Sequence, residues 1–72
     1  MAAIHAPAAL LQAAARVLEA RRPQAQASFH LDGFRYRARF DWPGVVSVFN
    51  DADGMPLARS KPGRPLEVDA AP

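Results

Sequence analysis

The segment Ala27-Ser-Phe-His-Leu-Asp-Gly-Phe-Arg-Tyr-Arg-Ala-Arg-Phe-Asp-Trp42 alternates apolar and polar residues on either side of a single Asp-Gly pair. A period of two marks a strand with one face buried. Asp32-Gly33 is the dipeptide favoured by a two-residue type I′ hairpin. A two-residue loop there sets Leu31 opposite Phe34, Phe29 opposite Tyr36 and Ala27 opposite Ala38, three apolar pairs on one face. The other face then pairs His30 with Arg35, Ser28 with Arg37 and Gln26 with Arg39. Turn chemistry and hydrophobic pattern select the same register, and a slip of one residue would turn the whole apolar set to solvent. Strands are therefore expected over 26–31 and 34–41.

Upstream, Pro7 suits the first position of a helix, where its missing N–H costs nothing. From Ala8 to Arg22 there is no Gly or Pro and one β-branched residue, Val17. Leu10, Leu11, Ala14, Val17 and Leu18 recur at helical spacing and form one apolar stripe. Pro23 disfavours helical geometry at the residue before it. A helix is expected over about 7–22, with Arg21 and Arg22 in its last turn.

Downstream, Pro43-Gly44 marks a turn and Val45–Asn50 a third strand. A two-residue loop would put Val45, Ser47 and Phe49 on the Phe40 face. A three-residue loop puts Val46 and Val48 there and leaves Phe49 beside Arg37; it is preferred because it fills the core with two β-branched residues. Asp51-Ala52-Asp53-Gly54 reads as a further turn, and 55–60 as a fourth strand. Pro56 cannot donate to a ladder, so that strand is expected at an edge. Residues 61–72 carry three prolines and are expected to form a tail without fixed structure, although Leu66 and Val68 offer a short pairing.

The fold class expected is α+β: one N-terminal helix packed on a three- to four-stranded antiparallel meander, as a single domain over 1–60, then a Pro-rich tail. The helix stripe would cover the sheet face made by Phe29, Leu31, Phe34, Tyr36 and Phe40.

The chain has 72 residues and is half hydrophobic, but 16 of them are alanine, so large apolar side chains are scarce. A chain this short buries roughly 60% of its unfolded surface, which leaves room for one small core and no elaborate buried active site. With no cysteine there is no disulfide, thiolate metal site or cysteine nucleophile. Small scaffolds without such staples often gain stability by associating. The net charge is +2, and eight of the nine basic residues are arginine. Together with the alanine content, this suggests a GC-rich bacterial source. The excess lies in residues 1–26, and it is small for a general polyanion binder. No Lys or Arg precedes the first apolar residues, and Pro7 and Gln12 interrupt the alanine-rich start. Neither a secretory signal nor a membrane span is expected, and the expected location is cytoplasmic.

Motifs for chemistry are sparse. If Gly54 is aligned with the obligatory glycine of a calcium loop, Phe49 and Ser60 fall where Asp and Glu are needed. His5 lies in what should be the frayed start, and His30 on the polar sheet face. Ser28 and His30 share that face, but Asp41 is too far along the neighbouring strand to orient an imidazole. The four glycines, at 33, 44, 54 and 63, form no phosphate loop. No enzyme activity, metal, cofactor or small-molecule substrate is expected. The pattern that stands out is the row Arg35, Arg37 and Arg39, with His30 beside it, a candidate face for an acidic partner or nucleic acid. Trp42 and an outward Phe49 are candidate interface residues, since exposed aromatics are enriched at binding hot spots. Both sheet edges are open to a partner strand. The function expected is a small non-enzymatic binding module that works through a protein partner or by self-association. The alternative is nucleic-acid binding through the arginine face.

Overall fold

The computed structural model of the chain describes residues 5–69; the N-terminal residues 1–4 and the last three residues of the expected tail lie outside them. Helix α1 spans Pro7–Ala20. Five strands follow, β1 (Gln26–Leu31), β2 (Phe34–Asp41), β3 (Val45–Asn50), β4 (Pro56–Lys61) and β5 (Arg64–Val68). They form one antiparallel sheet in the order β1-β2-β3-β4-β5.

The β1–β2 register is the expected one at every position, from Gln26 opposite Arg39 to Leu31 opposite Phe34. Asp32 and Gly33 have φ of 52° and 85°. A type I′ turn needs positive φ at both positions, and Asn, Asp and Gly tolerate it best. Between β2 and β3, Asp41 faces Val45 across the three residues Trp42–Gly44. This is the preferred loop, and it sends Val46 (2% exposed) and Val48 (0%) into the core.

Helix α1 lies on the apolar face. Leu10, Leu11, Ala14 and Leu18 pack with Ala27, Phe29, Tyr36, Ala38, Val46 and Val48. The expected cover over Phe34 and Phe40 is not made: they remain 53% and 43% exposed. Both lie on the helix side of β2 but near its two ends, where Phe34 meets the ring of His5 and Phe40 lines an open groove beside Leu18. The helix also stops two residues early. The Arg21 N–H divides between the carbonyls of Val17 and Leu18, and Gln24 N–H closes a turn onto Arg21 O. Pro23, which has no N–H to continue the ladder, enforces this exit. Arg21 and Arg22 thus lie beyond the last helical turn.

The C-terminal third departs most from expectation. The sheet has five strands, because Arg64–Val68, assigned to the tail, pairs with β4. Strand β4 is consequently internal, although it begins with Pro56. The proline is accommodated because it is the first residue of its strand. It faces Phe49 at a bulge, and β5 pairs only with the far end of β4, at Ser60 and Lys61. A second bulge at Ser60/Lys61 bends β5 toward α1. Leu66 then borders the helix side formed by Gln12, Ala15, Arg16 and Glu19, and Val68 packs on the core. At this bend the fully buried Ser60 accepts a 2.8 Å hydrogen bond from Val46 N–H through its hydroxyl. The outer face is not uniformly solvated either. Val45 and Ser47 are buried there, with Ser47 flanked in register by Arg39 and Arg59.

Candidate functional site

The arginine row forms as expected on the outer face, but its charges are held by the protein itself. Asp51 follows β3 directly, and its side chain is only 14% exposed. Arg35 Nε lies 3.1 Å from one of its oxygens and Arg37 Nη2 lies 3.0 Å from the other. Both contacts are ion pairs by distance, and the buried oxygen facing Arg37 has no aligned hydrogen-bond donor. Arg39 Nε donates to Asp41 at 2.9 Å, and its guanidinium stands 5.1 Å from the centroid of the Phe49 ring. Phe49 is therefore a half-buried platform for Arg39, within cation–π range. His30 is exposed opposite Arg35. A shallow pocket of about 230 Å³ lies between Arg37, Arg39, Phe49 and Gln26, and Asp51 forms part of its wall. An anion entering it would meet a carboxylate as well as two guanidiniums.

Asp51 is the group that sets this balance, and it is not evident in the sequence because the calcium-loop pattern draws attention to the turn instead. Replacing it by Asn should free Arg35 and Arg37 and raise the formal charge from +2 to +3. Asp51→Asn is expected to elute from a heparin column at higher salt than the parent chain. Unchanged elution would mean that Asp51 does not restrain the two arginines.

Trp42 is 89% exposed. It stands on the β2–β3 loop and does not close the end of the core. Nearby, Phe40 borders an apolar groove of about 430 Å³ with Leu18, Pro23, Val46 and Pro65.

His5 is not frayed. Its Nδ1 lies 2.7 Å from the Tyr36 hydroxyl and its Nε2 lies 2.9 Å from Asp32 Oδ2. Its ring meets Phe34 and Tyr36 edge-on. One tautomer satisfies the set: Nε2–H donates to Asp32 and the Tyr36 O–H donates to Nδ1. The segment leading into α1 is thereby tied, two residues before the helix starts, to the β1–β2 turn. Sequence separations of 27 and 31 hide this chain of groups. Its order resembles a proton relay, but Tyr36 is 6% exposed and also packs against Phe29, with ring centroids 5.4 Å apart. The phenol is thus a member of the core and not a group presented to a substrate. Among the described residues no three His, Asp or Glu side chains converge as metal ligands, and no helix is long and apolar enough to cross a membrane.

The two sheet edges differ. Strand β5 carries Pro65, Arg64 and Glu67, with Glu67 close to Arg64 and Lys61 at 3.3 and 3.7 Å, and it leans on α1. Proline, charge and a covering element are the usual protections of an edge. Strand β1 has none of these. Its six residues, Gln-Ala-Ser-Phe-His-Leu, contain no Pro, Lys, Arg, Asp or Glu, and its register is free of bulges. In a two-residue hairpin the pair flanking the loop is hydrogen-bonded and the pairs then alternate. Phe40 N–H donating to Ala25 O at 2.8 Å fixes that phase. The N–H and C=O groups of Gln26, Ser28 and His30 therefore point away from β2, along an exposed edge.

No family model, curated protein or solved structure matches the chain.

Proposed function

We propose that the protein is a small binding module, without catalytic chemistry of its own, that takes up an extended segment of a protein partner along the open edge of β1. The observation that carries this reading is the contrast between the edges: β5 is guarded by Pro65, Arg64, Glu67 and α1, while β1 offers Gln26, Ser28 and His30 with no such protection. Strand addition draws affinity from main-chain hydrogen bonds and specificity from alternate side chains. The apolar positions Ala27, Phe29 and Leu31 would continue the helix-side face into the added strand. Ser28 and His30 would set preferences on the outer face. Binding of nucleic acid through Arg35, Arg37 and Arg39 is the lesser reading, because Asp51 and Asp41 already occupy those guanidiniums.

The test is selection from a library of displayed decapeptides. Peptides with alternating apolar and polar residues are expected to enrich on the parent chain. They should be lost on Ser28→Pro, which removes one outward N–H but no β1–β2 hydrogen bond. Circular dichroism is the check that the variant is folded. Equal binding to both proteins, or no enrichment at all, would overturn the reading.

A further inference from the structure

Resting on that reading of the β1 edge, we infer that its occupant is a second copy of this chain, paired antiparallel about a two-fold axis through Ser28. An isologous contact requires a surface complementary to itself, and β1 meets this in four independent respects.

Hydrogen bonding comes first. Only residues whose N–H and C=O both point outward can form hydrogen-bonded pairs across the new seam. Those are Gln26, Ser28 and His30. With the axis at Ser28, Ser28 pairs with its own counterpart, and Gln26 pairs with His30 of the second copy in both directions. Every outward group is used. Moving the axis to Phe29 leaves Gln26 facing the turn residue Asp32, whose φ is 52°. Moving it to Ala27 leaves His30 facing Gln24, outside β1.

The apolar face comes second. The same register sets Phe29 against Ala27 of the second copy, a large residue beside a small one, twice. Cross-strand neighbours of this kind are the unit of sheet stabilisation.

The uncovered phenylalanines come third. Leu31 would face Ala25 of the second copy. Since Phe34 faces Leu31 and Phe40 is bonded to Ala25 within each chain, the row reads Phe34, Leu31, then Ala25 and Phe40 of the second copy. The two aromatics that α1 fails to cover thus end a continuous apolar row, which occurs twice by symmetry.

Charge comes fourth. A charged edge would repel its own copy, and this edge carries no formal charge besides His30. On the outer face, Arg37 and its counterpart are separated by three strand spacings, about 14 Å. That exceeds the ~8 Å screening length at physiological salt.

The absence of native cysteine makes the register directly testable on the full chain. In a hydrogen-bonded antiparallel pair the Cα atoms are about 5.5 Å apart, within disulfide range. Ser28→Cys should therefore oxidise to a covalent dimer. Gln26→Cys, displaced about 13 Å along the seam from its counterpart, should not do so alone but should cross-link with His30→Cys when the two are mixed. Light scattering of the parent chain, from micromolar to millimolar, should move from 7.8 kDa toward twice that mass. Ser28→Pro should hold it at the monomer. A constant monomer mass, with Ser28→Cys oxidising no faster than Gln26→Cys, would overturn the self-pairing. If displayed peptides still bind under those conditions, the edge remains a binding site and only its occupant is wrong. If they do not, both proposals fall.

Discussion

Leu11→Ala is expected to remove a large share of the stability of this protein, about 2–5 kcal/mol. Leu11 is fully buried in the centre of the helix stripe and packs on the sheet face formed by Phe29, Tyr36, Ala38 and Val48. Truncating it loses the transfer free energy of the missing atoms and leaves a cavity that a single helix over a sheet can only partly close. A domain of this length has on the order of 4–11 kcal/mol in total, so the variant should be measurably unfolded at 37 °C. Far-UV circular dichroism in urea is the appropriate probe, because Trp42 is exposed and its fluorescence responds little to unfolding. The control is Gln12→Ala, on the exposed side of the same helix, expected within about 0.5 kcal/mol of the parent. Similar midpoints for the two variants would show that α1 is not seated on the sheet through Leu11.

How far the fold can be read from the sequence follows from how local each signal is. The Asp32-Gly33 turn and the period-two pattern around it are short-range, and the hairpin register follows from them residue by residue. The three-residue loop at Trp42–Gly44 is legible because only it buries Val46 and Val48. What is not legible depends on distant segments. Pro56 reads as an edge marker, but its strand is internal because β5 covers only the other end. Arg64–Val68 reads as tail because its prolines and charges describe an edge strand equally well. Phe34 and Phe40 read as core because alternation gives the face of a residue but not which part of that face the helix covers. The site follows the same division. The arginine row is visible in the alternation, while its clamp by Asp51 and the His5–Tyr36–Asp32 chain require the folded chain.

The protection of one edge and exposure of the other carries a consequence for assembly. A strand edge with no guard, on a sheet whose far edge is closed, yields a closed pair; two open edges yield an open-ended array. Whatever seats β5 against α1 therefore limits the size of the assembly. The contact that seats it at the base of the sheet is between two loops, Trp42–Gly44 and Pro62–Gly63.

Gly44→Ala is the second substitution expected to have a large effect, because it breaks that contact. Gly44 has φ of +81°, and a Cβ there would stand 3.1 Å from Gly63 Cα and 3.2 Å from Gly63 N. Both obstacles are backbone, so neither can swing aside. Gly63 cannot retreat without stretching the 2.7 Å hydrogen bond from its N–H to Pro43 O. The left-handed conformation costs a residue with a Cβ about 1–2 kcal/mol, and losing the hydrogen bond adds roughly 1 kcal/mol. The total of about 2–3 kcal/mol corresponds to a fall in Tm of roughly 10–20 °C for a domain of this size. Gly63→Ala separates the two causes. Its φ is also positive, at +73°, but a Cβ there meets nothing within 4 Å, so it incurs the conformational cost alone. Gly44→Ala should melt below Gly63→Ala by several degrees, and freeing the β4–β5 hairpin should expose the β5 edge. Its light-scattering mass is then expected to rise beyond a dimer with concentration, unlike that of Gly63→Ala. Equal melting temperatures would show that the loops do not bear on one another. A mass that stops at the dimer would show that β5 remains closed without them.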